Sequence, residues 1–380
     1  MKGRIFLLIF LISAAGGVPA RGDGEKPETL AQRRQDAQRQ VADQMRGLTS
    51  LGEQDMEEVL SFSIQGTKIV ATTSMPATGP DFDAVKVRHL SGQSRVRVQY
   101  GDGRTGVASD RRRFIQMEYF DMQAPGTVLV HDQLLSDPDL LNISEDLDYN
   151  DGSARSVQLV QSAAEGPEAI KLYVEDFPPN DQGKMGKYEL SAPSFTAMCW
   201  EHPGEANEYL RPIFRRLGEE AALFAVGPRA AWQVMADDRP VDPATAAATD
   251  AVMKDLGAES FSQRERAAAE LRKLGEKAAI YLMKQRPGNL SLEQEMRVDL
   301  FLVPYRPLSA DQVTRLGRDP TFLIDCLYNN DAALKKLIVR RLEKITGREI
   351  DFDAVSKSND AAVASLIDRV VGSSTRGEGQ

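Results

Sequence analysis

The sequence predicts an α+β chain of several modules: an N-terminal helix, an antiparallel β domain built as a sandwich or a curved sheet, then an all-α helical module. Three observations predict it. Apolar residues recur at every second position between residue 58 and about residue 192. They recur at every third or fourth position afterwards. Turn-forming pairs punctuate the early runs and no helical crossover lies between them, as antiparallel pairing requires.

The chain of 380 residues is long enough for two or three compact domains. Residues 1–20 read as a cleavable signal peptide. A basic start (Lys2, Arg4) precedes an apolar run from Ile5 to Ala15, and Val18 and Ala20 fit the small-residue cleavage positions, with Ser13/Ala15 as a second option. The run is too short to span a bilayer comfortably, and an uncleaved anchor is the alternative. The chain is therefore expected outside the cytoplasm, periplasmic or extracellular, with no transmembrane segment after cleavage. Its net charge of −9 becomes more acidic once Lys2 and Arg4 are removed, which speaks against nucleic-acid binding and purely electrostatic attachment to anionic lipid. Two cysteines, Cys199 and Cys326, exclude a disulfide-stapled fold; they are free buried thiols or one bonded pair.

Residues 21–57 are polar and helix-prone, with Leu30, Ala37, Val41, Leu48 and Leu51 near helical spacing. Packing against its own domain suits this segment better than a coiled coil. In the β-rich domain, 58–195, Leu60/Phe62/Ile64, Val96/Val98/Tyr100, Ile115/Met117/Tyr119 and Ile170/Leu172/Val174 alternate with polar neighbours. Gln65-Gly66, Asp102-Gly103, Asp151-Gly152 and Gly166-Pro167 are the turns between such runs. A helical connector is expected over 196–236. A Pro-containing linker follows over 237–249, then a helical domain over 250–371 and a flexible tail over 372–380. Ser262 with Glu265 has the form of a capping box, and Gly275 that of a helix stop. Further helices are predicted near 291–302, 309–318, 320–328, 331–346 and 360–371.

The stretch from Phe261 to Leu282 resembles the HEAT-like helical repeats of exported bacterial proteins, through Arg264, Ala267, Leu271, Leu274, Gly275, Ala278 and Leu282. Segment 293–302 looks like the first helix of another repeat, and 342–353 is similar to endings that follow such arrays. Residues 303–330, with Pro304, Pro307 and Pro320, depart from the pattern. The resemblance covers about a third of the chain and implies a scaffold or protein-binding surface without catalytic residues of its own.

No motif for a cofactor or a catalytic group emerges. Gly101, Gly103 and Gly106 spell Gly-x-Gly-x-x-Gly, but a strand follows where a dinucleotide site needs a helix. His89 reads as a core or edge residue and His131 as a surface residue at a strand end. Cys199-Trp200-Glu201-His202 offers a thiol and an imidazole for a hydrolase, although His202-Pro203 also suits a capping turn. Asp146, Asp148, Asn150 and Asp151 are the metal candidates, because alternate acidic residues can direct oxygens at one Ca²⁺. The plainer reading of the same residues is an acidic hairpin turn. Lys335, Lys336, Arg340, Arg341, Lys344 and Arg348 give one helix a basic face, read as solvated. Three functions follow as expectations. The first is an exported non-enzymatic protein that binds another protein through 250–371. The second is an extracytoplasmic carrier holding a lipid or other apolar ligand in the β module. The third is a hydrolase around Cys199 and His202.

Overall fold

The computed structural model describes residues 29–44, 49–54, 59–74, 83–87, 93–102, 111–136, 140–162, 170–179, 186–285, 288, 290–356 and 360–370. The proposed signal peptide, His89, Gly103, Gly106 and the tail lie outside them.

Helix α1 (Leu30–Gln44) opens the described chain. The expected helix over 21–57 is corrected beyond it, because Thr49–Gln54 forms β1. Thr49, Ser50 and Gly52 are poor helix formers, and β4 (Asp83–Val87) offers β1 a parallel partner. Strands β5 (Gln93–Asp102), β6 (Arg111–Asp121), β7 (Thr127–Ser136), β8 (Leu140–Tyr149), β9 (Ala154–Ser162), β10 (Ile170–Phe177) and β11 (Gly186–Ala192) then follow as an antiparallel meander. The result is one nine-stranded sheet, in the order β1-β4-β5-β6-β7-β8-β9-β10-β11, rather than a sandwich. Its one departure from antiparallel pairing, β1 with β4, arises because the hairpin of β2 (Leu60–Gln65) and β3 (Lys68–Thr73) leaves the sheet between them. Gly66, at φ 64°, supplies the left-handed residue that this hairpin's two-residue turn needs.

Both faces of the middle strands are covered. On one face Ala37 and Val41 of α1 pack on Phe120, Val128 and Leu129. Arg33 ties the helix down by donating to the carbonyls of Tyr149 (2.9 Å) and Asn150 (2.6 Å) at the β8–β9 turn. On the other face, the inward row of Ile115, Met117, Leu134, Ile143, Leu159 and Leu172 meets the β2–β3 hairpin and the helices after the sheet. This double cover explains why the first six residues of β7 are all buried. Gln161 of β9 fastens the hairpin. The Ile69 N–H donates to its side-chain oxygen (2.7 Å), and its amide donates back to the Ile69 carbonyl (2.9 Å).

Helix α2 (Phe195–Glu201) starts where the Ser194 hydroxyl accepts from the Ala197 N–H. A helical run then passes through α3 (Pro203–Glu205), a π turn at Ala206–Leu210 and α4 (Arg211–Arg216). With α5 (Glu220–Phe224), these elements belong to the core of the β module. Phe62, Phe195, Phe214 and Phe224 meet there edge to face at 5.3–6.2 Å between ring centroids. From Val226 onward the side chains belong to the second module, beginning with α6 (Pro228–Val234). The boundary therefore falls at Ala225, and the expected connector 196–236 is shared between two cores.

The predicted linker 237–249 is also corrected. The Asp242 carboxylate accepts from the N–H groups of Ala244 and Thr245, Pro243 takes the first helical position, and α7 runs Pro243–Leu256. Helix α8 (Phe261–Lys284) is broken at Gly275, whose φ of 60° ends the first half as the sequence predicts. Its N-cap is Ser260, so Ser262 and Glu265 form no capping box. The boxes sit instead at Ser291/Gln294, heading α9 (Leu292–Leu302), and at Ser309/Gln312, heading α10 (Ala310–Leu316). Asp319 caps α11 (Pro320–Asp325) and Asp331 caps α12 (Ala332–Thr346). Helices α13 (Phe352–Ser356) and α14 (Asp360–Val370) complete the module. Helices α7, α8 and α9 share one small core, and the rest pack around a second. Among the described residues, no helix is long and apolar enough to cross a membrane.

Replacing Gln161 with Ala leaves both backbone groups of Ile69 without their buried partner. Stability should fall by about 1–3 kcal/mol in denaturant unfolding, with the native circular dichroism spectrum retained.

Candidate functional site

The residues singled out in the sequence are dispersed by the fold. Asp146 and Asp148 belong to strand β8, on the face that carries α1, whereas Asn150 and Asp151 form the β8–β9 turn. The predicted acidic turn is thus partly strand. Asp151 spends its carboxylate on the turn, accepting from the backbone N–H (2.9 Å) and the hydroxyl (2.6 Å) of Ser153. Asn150 takes Arg34 on its side chain and Arg33 on its carbonyl. Burial raises the carboxyls of Asp146 and Asp148 above the ordinary range, which disfavours the ionised form a cation site uses. Among the described residues, no three His, Cys, Asp or Glu side chains are grouped to hold a metal ion.

His131, expected at the surface, is buried. It stacks on Phe120 at 4.3 Å between ring centroids, because α1 covers this part of the sheet. Opposite it in register stands Asp146, and opposite Asp146 stands Ser156. A hydrolytic triad needs the imidazole between the hydroxyl and the carboxylate, and here the carboxylate is in the middle.

Cys199 and Cys326 are free thiols. Burial pushes both far above the ordinary thiol range. For Cys199 that is the opposite of what a thiolate nucleophile requires. His202 closes α2, its backbone N–H donating to the Met198 carbonyl, and heads α3, so the capping reading describes it. The basic face of α12 is smaller than predicted. Lys335 is buried, with Nζ donating to the Val355 carbonyl at 3.2 Å. Arg341 is bound to Asp238, and Arg348 donates to the carbonyl of Arg369.

Two buried charge clusters were not foreseen. On the inward face of the sheet Asp132 of β7 stands directly opposite Glu145 of β8, and both are buried. Arg216 at the end of α4 reaches down to them. Its Nε donates to Asp132 at 2.8 Å and its Nη2 at 3.0 Å, and Nη2 also pairs with Glu145. Burial, opposed by Arg216, raises the Asp132 carboxyl from 3.8 to about 6. The second cluster lies at the seam between the modules. Arg211 donates to Glu220 (2.8 Å) and Asp325 (2.7 Å), with its guanidinium over the Phe224 ring at 3.9 Å. Arg215 clasps the same Glu220 at 2.6 and 3.0 Å and reaches Asp368 at 2.7 Å. The preceding π turn sets Asn207 to accept from Arg211 (2.7 Å) and to donate to Thr321 (3.2 Å). The seam pocket among these groups measures about 20 Å³, room for about one water molecule. Burial raises Asp325 from 3.8 to about 6.

A larger cleft of about 400 Å³ lies beside α1, lined by Arg34, Gln38, Asn150 and residues 122–128 around the β6–β7 turn. Its lining is mostly polar, unlike a chamber for an acyl chain. The inward face of the sheet, where a carrier would hold its ligand, is filled by the hairpin and the phenylalanine cluster.

The most unusual surface is on α9. Leu292, Met296 and Leu300 of α9 and Val303, which opens the 3₁₀ turn after it, lie at successive spacings of four, four and three residues and are 65–74% exposed. At 100° per residue they span an arc of about 80° and a length of about 16 Å. Phe261 at the start of α8 is also exposed, at 64%. Arg264 joins the two elements, lying 5.9 Å from the Phe261 ring and donating to Glu293 at 2.7 Å. The opposite face of α9, with Val298, Phe301 and Leu302, is buried. The helix thus has two apolar faces and covers one.

The carboxyls of Asp132 and Asp325 set a direction for pH. Between 3.8 and about 6 the native state holds protons that the unfolded chain has released, so stability falls as pH rises through that window. The melting temperature should therefore be higher at pH 5 than at pH 7. Asp132→Asn should flatten the slope and leave the part due to Asp325; an unchanged slope would refute the assignment. No protein-family model, no curated protein and no solved structure matches the chain.

Proposed function

We propose that this is an exported, non-enzymatic protein that binds another protein through its C-terminal helical module, with the apolar stripe of α9 as the contact surface. The stripe carries the reading. Four large apolar side chains in one row, three on α9 and one on the turn that ends it, are costly to leave in water and are characteristic of interaction sites. The surface is also well supported from behind. Ion pairs fix the helix to α8, with Arg297 bound to Glu265 (2.8 Å) and Glu293 (3.1 Å), and Glu293 bound in turn to Arg264. The row is therefore presented as a rigid ridge.

The resemblance of residues 261–282 to HEAT-like repeats agrees with this, since such arrays act as scaffolds and binding surfaces. The basic-apolar-small pattern of residues 1–20 supports export. The raised thiol of Cys199, the misordered His131 row and the dispersal of Asp146 to Asp151 give an enzyme reading no support.

Two outcomes are expected. Met296→Gln with Leu300→Gln, changes that keep helix propensity, should leave the melting temperature within about a degree and abolish co-purification of a partner from the native host. Equal recovery of partners by both proteins would refute the contact surface. Mass spectrometry of the protein recovered from that host should show a chain beginning at Arg21, and an intact Met1 would refute export by cleavage.

A further inference from the structure

We infer that the partner of the α9 stripe is a cationic amphipathic helix: a segment with apolar residues at helical spacing and Lys or Arg beside them. This rests on the protein-binding reading above and adds the chemistry of the partner to it.

Shape argues for a helix. The surface is a single convex ridge about 16 Å long. A ridge of this kind packs against the groove of another helix. Recognition by strand addition needs an open sheet edge, and recognition of an extended proline-rich peptide needs a groove lined by several aromatics. The α9 surface offers neither.

Charge argues for cations on that helix. Helix α9 itself carries three anions, Glu293, Glu295 and Asp299, against one cation, Arg297. Arg297, and the two arginines that reach these anions from α8 and from the turn after α9, are in ion pairs. Arg264 holds Glu293, Arg297 holds Glu265 and Glu293, and Arg306 lies 3.7 Å from Asp299. Glu295, exposed one turn from Asp299 on the same flank, has no cation bound to it among the described residues. The rim is thus acid-rich, and the chain around it carries −9 overall. A second copy would bring the same acid-rich rim and gain nothing from charge. An anionic membrane would be repelled. A helix with Lys or Arg flanking its apolar row matches both the stripe and the rim.

The test uses the full chain and two synthetic peptides of one pattern. Leu occupies the apolar helical positions in both, with Lys at the polar positions of one and Glu at those of the other. Fluorescence anisotropy should show the Leu/Lys peptide binding at least about tenfold more tightly than the Leu/Glu peptide, with affinity falling as salt rises. Met296→Gln with Leu300→Gln should weaken the Leu/Lys peptide by about tenfold or more. Glu295→Lys with Asp299→Lys should weaken it similarly and remove most of the salt dependence.

Equal affinity for the two peptides, or no effect of the charge reversal while the Gln variant still loses its native partner, would overturn the cationic assignment and leave the protein-binding reading standing. Sedimentation showing a dimer that the Gln variant abolishes, or binding to phosphatidylcholine vesicles that the variant abolishes, would overturn it in favour of self-association or a membrane. If neither peptide binds and the variant recovers the same native proteins as the wild type, the protein-binding reading fails as well.

Discussion

Arg211 is buried with its guanidinium between Glu220 and Asp325, and the joining of the two modules depends on it. Glu220 belongs to the helices that complete the β module, and Asp325 to α11 of the helical module. Three charges are removed from water here, which is costly unless every group is paired. The structure offsets that cost with a second arginine on Glu220, an asparagine on Arg211 and an aromatic ring beneath it, while Oδ1 of Asp325 is buried without a hydrogen-bond partner among the described residues. The neighbouring backbone adds to the same joint, because the Asn329 amide donates to the Val226 carbonyl at 2.9 Å. Loss of one partner would leave a buried charge without compensation, so the seam selects one relative arrangement of the modules.

The Asp132–Glu145–Arg216 cluster does the corresponding work within the β module. Two carboxylates opposite one another on adjacent strands repel, and one arginine from α4 answers both. Pairing the sheet and docking the helix are thereby coupled. The same α4 carries Arg211 and Arg215 toward the seam and Arg216 toward the sheet. One short helix thus anchors the interior of both modules through charge, while Ile213 and Phe214 anchor the first through apolar packing.

Much of the fold was legible in the sequence because its signals are local. The alternation of Ile115, Met117 and Tyr119 and the stop at Gly275 each depend on nearby residues, and the structure reproduces them. Strand β8 was harder to read. Its inward row runs Leu141, Ile143, Glu145, Leu147, and the glutamate looks misplaced until Arg216 arrives from a distant helix. The acidic outward row then suggested a turn. Asp242-Pro243 looked like a linker because the same pair both breaks a chain and starts a helix. Of the proposed site, α9 itself was read correctly near 291–302. Which of its two apolar rows would be covered was not, because burial is decided by α7 and α8 and not by spacing.

The passage from one core to the other occupies a single residue, Ala225. Many multi-part proteins are joined by slack tethers, and their pieces can be traded between genes at those points. Here the slack is missing. A recombination event within 237–249 would cut a helical unit, and one near residue 192 would strip the sheet of its cover. A cut at Ala225 would part Arg211 and Glu220 from Asp325 and leave buried charges on both sides of the division.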